Sequence, residues 1–386
     1  MNDAAEVVII GGGPVGAALA LALSGSGLGV MLLEARPAGE RASDPRPLAL
    51  SYGSRLILER LGVWAALAPV TAIDRIHVSQ QNGFGRVALS AAEARLPALG
   101  YVADYTQLHA TLHNALQGRG SALHYVTGAK VSAIRDAPAS SVVEFTAGGV
   151  QKSVTASLVV AADGGALDGV AEMQSVDYRQ SALTTRLHSE LPHRNTAFER
   201  FTSGGPIALL PSGDDLALVW SAGHEQAQKL CELAPAEFVA QLQRHFGKRL
   251  GALTIEGKRS LFPLALRYAT QVTKKRAILI GNAAQTLHPV AGQGFNLGLR
   301  DAWELAEEAM RCGRDALGEA GMLKAYAARR RLDRGGGIWF TDSLVRMFSN
   351  DIAPLRLARG AGLALLGCVP PLKNFVVRRM TFGARG

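Results

Sequence analysis

The sequence predicts an α/β protein: a Rossmann-like, doubly wound domain, an inserted and mainly antiparallel β domain, and a helical C-terminus. Three observations carry this. The chain opens on "VVIIGGGPVGAALALAL", a β-branched run followed by a glycine turn and a helix-forming stretch. A second unit of the same kind, "RAILIGNAAQTLHPVAGQGFNLGLRDAWELAEEA", stands far downstream. Between them lie runs such as "IALLP", "LALVW" and "SLFPLAL", in which apolar and polar residues alternate. At 386 residues the chain exceeds what a single core usually fills, so more than one domain is expected.

In the first unit, Val7 to Ile10 suits a strand buried on both faces of a parallel sheet. Gly11, Gly13 and Gly16 supply G-x-G-x-x-G, with Pro14 and Val15 opening a helix that runs to Leu23. Gly11 permits the tight turn, Gly13 lets a pyrophosphate approach the backbone, and Gly16 lets the helix sit close on the strand. The free N–H groups of that helix favour phosphate. A second strand, Val30 to Leu33, ends in Glu34, about 20 residues on, where a carboxylate accepts from ribose hydroxyls. The unit predicts a dinucleotide without separating FAD from NAD. Val7 to Leu33 carries no charge and is long enough to pass for a membrane span, but its glycines break it. Asp3 and Glu6 precede it where a signal peptide carries positive charge, so neither reading is adopted.

The second unit pairs a buried strand, Arg276 to Ile280, with Gly281-Asn282 and a loop holding Pro289, Gly292 and Gly294. Asn296 and Asp301 fall near the start of the following helix, and Gly298 inside it. A dinucleotide with its pyrophosphate on the first helix still has another end. An isoalloxazine ring there would meet this second helix dipole at N1 and C2=O, where charge accumulates on reduction. One extended FAD needs both sites; NAD needs only the first.

Gly11–Gly16 with Glu34, then "VVAADG" (Val159–Gly164), then "GNAAQTLHPVAGQGFNLGLRD" resemble the three flavin motifs of the p-hydroxybenzoate hydroxylase-like (GR2) flavoprotein monooxygenases. Within that group the chain is similar to the ubiquinone-biosynthesis hydroxylases of the 2-polyprenyl-6-methoxyphenol hydroxylase (UbiH) type. The stretches that carry this are "DPRPLALSYGS", "AFERFTSGGPIALLP", "GKRSLFPLAL" and "TDSLVRMFSNDIAPL". The resemblance spans nearly the whole chain. It implies FAD contacts from Gly11, Gly13, Pro14, Val15, Gly16, Glu34, Arg46, Gln107, Asp163, Gly164, Gly281, Asn282, Gly292, Gly294, Phe295 and Asn296. Arg46, stiffened by Pro45 and Pro47, matches an arginine that approaches the flavin. Asp163-Gly164 matches a pair near the pyrophosphate, and Asn282 a group on the ribityl chain. Gln285 stands where the wider family often has His. Pro289, Gly292 and Gln293 match the loop at the flavin's reactive edge, with the Pro289 carbonyl a candidate for orienting substrate. The family's DG-x-x-S-x-x-R continues here as "DGGALDGVAEM", without Ser or Arg, which bears on the reductant contact more than on FAD.

The resemblance also implies O2 as co-substrate, NAD(P)H or a protein electron donor as reductant, and hydroxylation of a polyprenylated (methoxy)phenol through a C4a-hydroperoxyflavin. No Ser/His/Asp set, reactive cysteine or paired carboxylate stands at catalytic spacing, in keeping with a cofactor that carries the chemistry. Two rival readings are another FAD oxidoreductase of the same fold, such as a prenyl-chain reductase, and a non-catalytic flavin- or lipid-binding scaffold. The expected boundaries are 1–73, 97–172 and 272–350 for the FAD-binding domain, 74–96 and 173–271 for the substrate domain, and 351–386 for a C-terminal helical segment.

Lys and Arg exceed Asp and Glu, 41 to 32, which favours anionic partners in general. Aromatics at 6% without basic interleaving argue against nucleic acid. Cys231, Cys312 and Cys368 form no metal or disulfide spacing and suit a reducing cytoplasm. His109 and His113, at i and i+4, read as an ordinary helix surface; no metal is expected. "KAYAARRRLDR" and Pro354–Met380 read as helical and basic, with Gly360 to Leu372 uncharged between Arg356, Arg359, Lys373, Arg378 and Arg379. That segment predicts either a peripheral contact with the inner face of the cytoplasmic membrane or packing on the body or on another quinone-biosynthesis protein. Of the aromatics in the inserted β region, Phe201, Trp220 and Phe262 are lipophilic-pocket candidates, although single aromatics on strands more often belong to the core.

Overall fold

A computed structural model describes residues 4–40, 44, 46–119, 123–165, 171–348 and 353–384. Five strands form a parallel array in the order Leu123–Thr127, Val30–Glu34, Ala4–Ile10, Val150–Ala161, Ala277–Leu279. The uncharged stretch from Val7 to Leu33 is therefore strand, turn, helix, turn and strand, with the helix at Pro14–Leu23. Period-2 alternation shows why both of its faces are apolar. Val7, Ile9, Val30, Leu32, Leu158 and Val160 meet the helices, whereas Val8, Ile10, Met31, Leu33 and Val159 join a second core. Each such side chain contributes roughly 1.5–3 kcal/mol on full burial. The second core is closed by Val143 and Phe145 of Ser141–Ala147 and by Val154, so this face is covered by antiparallel strands where a doubly wound sheet would carry helices.

A separate nine-stranded sheet is antiparallel except where Arg75–Gln80 runs parallel to Thr196–Thr202. Its long central strand, Met173–Ser189, pairs with Asp215–Gly223 on one side and Ser260–Ala269 on the other. Helices His224–Glu232 and Pro235–Phe246 cover its outer face through Ala227, Leu230, Phe238 and Leu242. Trp220 lies in that core, while Phe201 sits on the opposite face and stacks on Phe348 at 3.9 Å between ring centroids.

The C-terminal quarter is helical: Gln293–Cys312, Ala320–Phe348, Ala353–Cys368 and Pro370–Phe382. Pro370 and Pro371 open the last of these, where proline is tolerated, after a sharp bend at Val369. No single helix among the described residues is long and apolar enough to cross a membrane. Pro354–Cys368 and Pro370–Phe382, bent by 96°, reach that length and composition only when taken together.

Candidate active site

One cavity of about 860 Å³ connects both glycine units to the inner face of the large sheet. At one end it is lined by Gly11, Gly13, Pro14, Val15, Glu34, Arg36, Asp163 and Gly164. Its middle is lined by Arg46, Gly281, Asn282, Pro289, Gly292, Gly294 and Phe295. The far end is apolar, walled by strand residues such as Val78, Leu89, Ala208 and Val219 and roofed by Phe340, Leu344, Leu363, Leu366 and Met380 from the C-terminal helices.

Two helix N-termini open on this cavity without side-chain caps. Gly13 caps Pro14–Leu23, and Gly292, at φ 59° and ψ 26°, caps Gln293–Cys312. Their free N–H groups and dipoles favour negative charge in both places. Gly11 and Gly16 are demanded by packing. A Cβ on Gly11 would fall 2.6 Å from the Asp163 Cα, and one on Gly16 only 2.0 Å from the Gly11 carbonyl oxygen. Gly281, at φ 58°, and Gly298 let the second strand and helix close on Val15. These cradles fit an extended dinucleotide held at its pyrophosphate and at its ring.

Glu34 is already pre-set. Its Oε2 accepts from the Gly12 N–H at 2.6 Å, and its Oε1 from the Arg36 backbone N–H at 2.9 Å and from Arg36 Nε at 3.0 Å. Burial pushes its carboxyl up, but the donors from Arg36 and Gly12 outweigh this and hold it below the usual carboxylate range. His109 and His113 are not an ordinary helix surface. Arg36 Nη2 can only donate, so His109 Nε2 accepts from it at 2.8 Å. The Gly12 carbonyl can only accept, so His113 Nε2 donates to it at 2.6 Å and its Nδ1 accepts from the Tyr125 hydroxyl at 2.7 Å. The two rings stack at 3.9 Å. Burial, the His113 ring and Arg36 push His109 down to about 4, and burial lowers His113, so both stay neutral near pH 7. Among the described residues no group of His, Cys, Asp and Glu forms a metal site.

Other expected residues divide. Arg46 lines the cavity, pairs with Asp44 and lies 5.1 Å from the Phe262 ring centroid; Pro45 lies outside the described residues. Asp163 lines the cavity and accepts from the Gly165 N–H at 3.2 Å; 166–170, within the departing "DGGALDGVAEM", are also outside the described residues. The Pro289 carbonyl accepts from the Gly292 N–H at 2.9 Å. Gln107 and Gly16 do not line the cavity, and Gln293 faces a small adjoining hollow with Ala49 and Leu50. Asn296 is a latch. Its Oδ1 accepts from the Ser51 N–H and the Ser54 hydroxyl, both at 2.7 Å, and its Nδ2 donates to the carbonyls of Ala49 at 2.8 Å and Gly292 at 2.7 Å.

Sequence reading misses what anchors the second loop. Asp301, 2% exposed, accepts from the Gly281 N–H at 3.1 Å, Gln285 Nε2 at 2.7 Å and Arg330 Nε at 2.7 Å. Arg330, 1% exposed, also donates to Glu304 at 2.9 Å and Asp333 at 3.0 Å, and Gln285 accepts from Arg334 at 2.9 Å. The signal was the spacing of Tyr326, Arg330 and Asp333, which puts all three on one helix face inside a stretch that reads as a basic surface.

With this geometry in hand, comparison with known proteins is decisive. A family model described as an FAD binding domain matches residues 4–333. The chain belongs to the FAD-binding monooxygenase family. It is 35% identical to the ubiquinone hydroxylase UbiL of Rhodospirillum rubrum, over 98% of this chain and 89% of that one. It is 34% identical to the 3-demethoxyubiquinol 3-hydroxylase of Escherichia coli, over 94% of both chains. The fold matches the crystal structure of the p-nitrophenol 4-monooxygenase PnpA from Pseudomonas putida, with a TM-score of 0.79, 18% identity and full coverage of both chains. The chain is thus an FAD-dependent monooxygenase, and the geometry of the two glycine cradles is compatible with that cofactor.

Proposed function

We propose that this member of the family hydroxylates the ring of a polyprenylated (methoxy)phenol in ubiquinone biosynthesis, with O2 and either NAD(P)H or a protein electron donor. The observation that carries this reading is the single cavity that runs from two glycine-built helix N-termini into an apolar chamber. A lipophilic phenol suits such a chamber, and the relatives' names point to quinone precursors. When bound, the flavin supplies the activated oxygen.

The residues divide the work. Gly11, Gly13 and the N-terminus of Pro14–Leu23 receive the pyrophosphate, with Asp163 and Gly164 beside it, and Glu34 is set to accept from ribose hydroxyls. Asn282 faces the ribityl chain, and the N-terminus of Gln293–Cys312 offers partial positive charge to the ring. Pro289 and Gly292 form the wall between flavin and substrate. The segments 74–96 and 173–271 act as the substrate domain, and Phe340, Leu344, Leu363 and Met380 exclude water from the reacting ring. Turnover under 18O2 is expected to put one labelled oxygen on the product ring. Substrate consumed without label, with reduction of the prenyl chain, would favour the reductase reading.

The terminal helix pair favours peripheral attachment. While Leu363, Leu366 and Met380 face inward, Leu357 and Phe375 stand 61% and 64% exposed, with Arg356 and Arg378 close by in sequence. This is the pattern of an amphipathic surface at a lipid headgroup layer. The intact protein is expected to float with anionic vesicles and to release at high salt. A double variant, Leu357→Glu with Phe375→Glu, is expected to stay at the bottom of the gradient; failure of the intact protein to float would end the membrane reading, and equal flotation of both would remove this surface from it.

A further inference from the structure

Strand Thr196–Thr202 alternates across the large sheet. Arg200 turns outward and donates to the His245 carbonyl at 2.7 Å and to Ser79 Oγ at 3.3 Å, whereas Ala197, Glu199 and Phe201 line the cavity. Glu199 is flanked in register by Val78 on one side and Ala208 on the other, with Val219 beyond. These three flanking residues are apolar, and so is the roof above them; the nearest polar side chain on that face, Gln80 opposite Phe201, donates to the carbonyls of Phe84 and Arg356. Among the described residues Glu199 has neither a hydrogen bond nor an ion pair, and the surface it exposes belongs to the cavity. A carboxylate without a partner in such a place is costly and does nothing for packing. What would complete it is a hydroxyl donor in the chamber.

Resting on the function proposed above, we propose that Glu199 is the proton acceptor for the phenol hydroxyl of the substrate. The phenol O–H bond breaks and a carboxyl O–H bond forms on Glu199, leaving a phenolate whose charge enriches the ring carbons that are oxidised. The carboxyl group returns its proton to water when product leaves. Burial alone pushes Glu199 up to about 7, so it is neutral in acid and ionised above neutrality, where a general base works best. No charged group faces it from the strands on either side or from the roof. The other ionisable residues of the cavity wall, Glu34, Arg36, Arg46, Tyr105, Lys130 and Asp163, come from outside this sheet.

The test compares the flavin-loaded wild type with Glu199→Gln, which keeps side-chain volume. With a short-chain methoxyphenol, kcat/KM of the wild type should fall as pH drops below about 7. Glu199→Gln should retain its flavin and lose roughly 10²–10³-fold at neutral pH. Its residual rate should climb with pH as the phenol ionises by itself. Independently of turnover, the difference spectrum of bound 4-nitrophenol should show phenolate in the wild type and phenol in Glu199→Gln at the same pH. Equal rates and pH profiles in the two proteins, or nitrophenol bound in the same ionisation state by both, would overturn the assignment. If the wild type hydroxylates no phenol at all, the proposed function falls, and the nitrophenol spectra still decide the role of Glu199.

Discussion

Gly13→Glu is expected to leave the flavin-free protein as stable as the wild type, within about 0.5 kcal/mol, and to weaken FAD binding at least 100-fold, about 2.8 kcal/mol. Gly13 sits at φ −58° and ψ 170°, a conformation open to any residue, and a Cβ there would meet nothing within 4 Å. The chain itself does not require glycine at this position, although the residue lines the cavity at an uncapped helix N-terminus. On the proposed function the constraint comes from the ligand: a side chain would occupy the place assigned to the pyrophosphate, and a carboxylate would oppose its charge. Gly16→Ala offers the contrast. Its Cβ would collide with the Gly11 carbonyl, so both fold and flavin should suffer. Urea unfolding and fluorescence titration with FAD read the two effects separately. A Gly13→Glu protein that purified yellow with wild-type affinity would remove the pyrophosphate from this turn.

Asp301→Ala should cost about 3–5 kcal/mol of stability, because it leaves Arg330 buried beside a missing partner. The Gly281 N–H and Gln285 Nε2 lose their acceptor at the same time, so the loop proposed to meet the flavin should loosen as well. Asp301→Asn, which keeps shape without charge, should fall between the two. Urea midpoints of the flavin-free proteins report the first effect, and flavin dissociation rates the second. A loss under 1 kcal/mol for Asp301→Ala would mean that Glu304 and Asp333 suffice to hold Arg330.

His109 and His113 illustrate how far spacing alone reaches. The i, i+4 pattern shows that the rings share a helix face, but the partners that bury them, Arg36, Gly12 and Tyr125, come from three other segments. Asn296 carries the same lesson. Its place near a helix start suggests a ligand contact, yet its side chain is consumed by Ala49, Ser51 and Ser54, some 245 residues away in sequence. Gln107 follows an Asp104 cap whose Oδ1 accepts its N–H at 3.0 Å, a local role with no need of a cofactor.

The two strand–glycine–helix units, the acid that ends the second strand and the alternation of the inserted sheet are all legible in the order of residues alone. These depend on backbone sterics and periodicity within about 20 residues, and such forces are written locally. That Arg330 of a basic run points inward, that the terminal helices roof the cavity and that Glu199 faces it unaccompanied emerge only once the chain is packed. Alternation says which residues share a face of Thr196–Thr202 but not what stands opposite. That depends on pairing with Arg75–Gln80 and on helices more than 110 residues further along the chain, where burial of the whole molecule, and not the propensity of any segment, selects the neighbours.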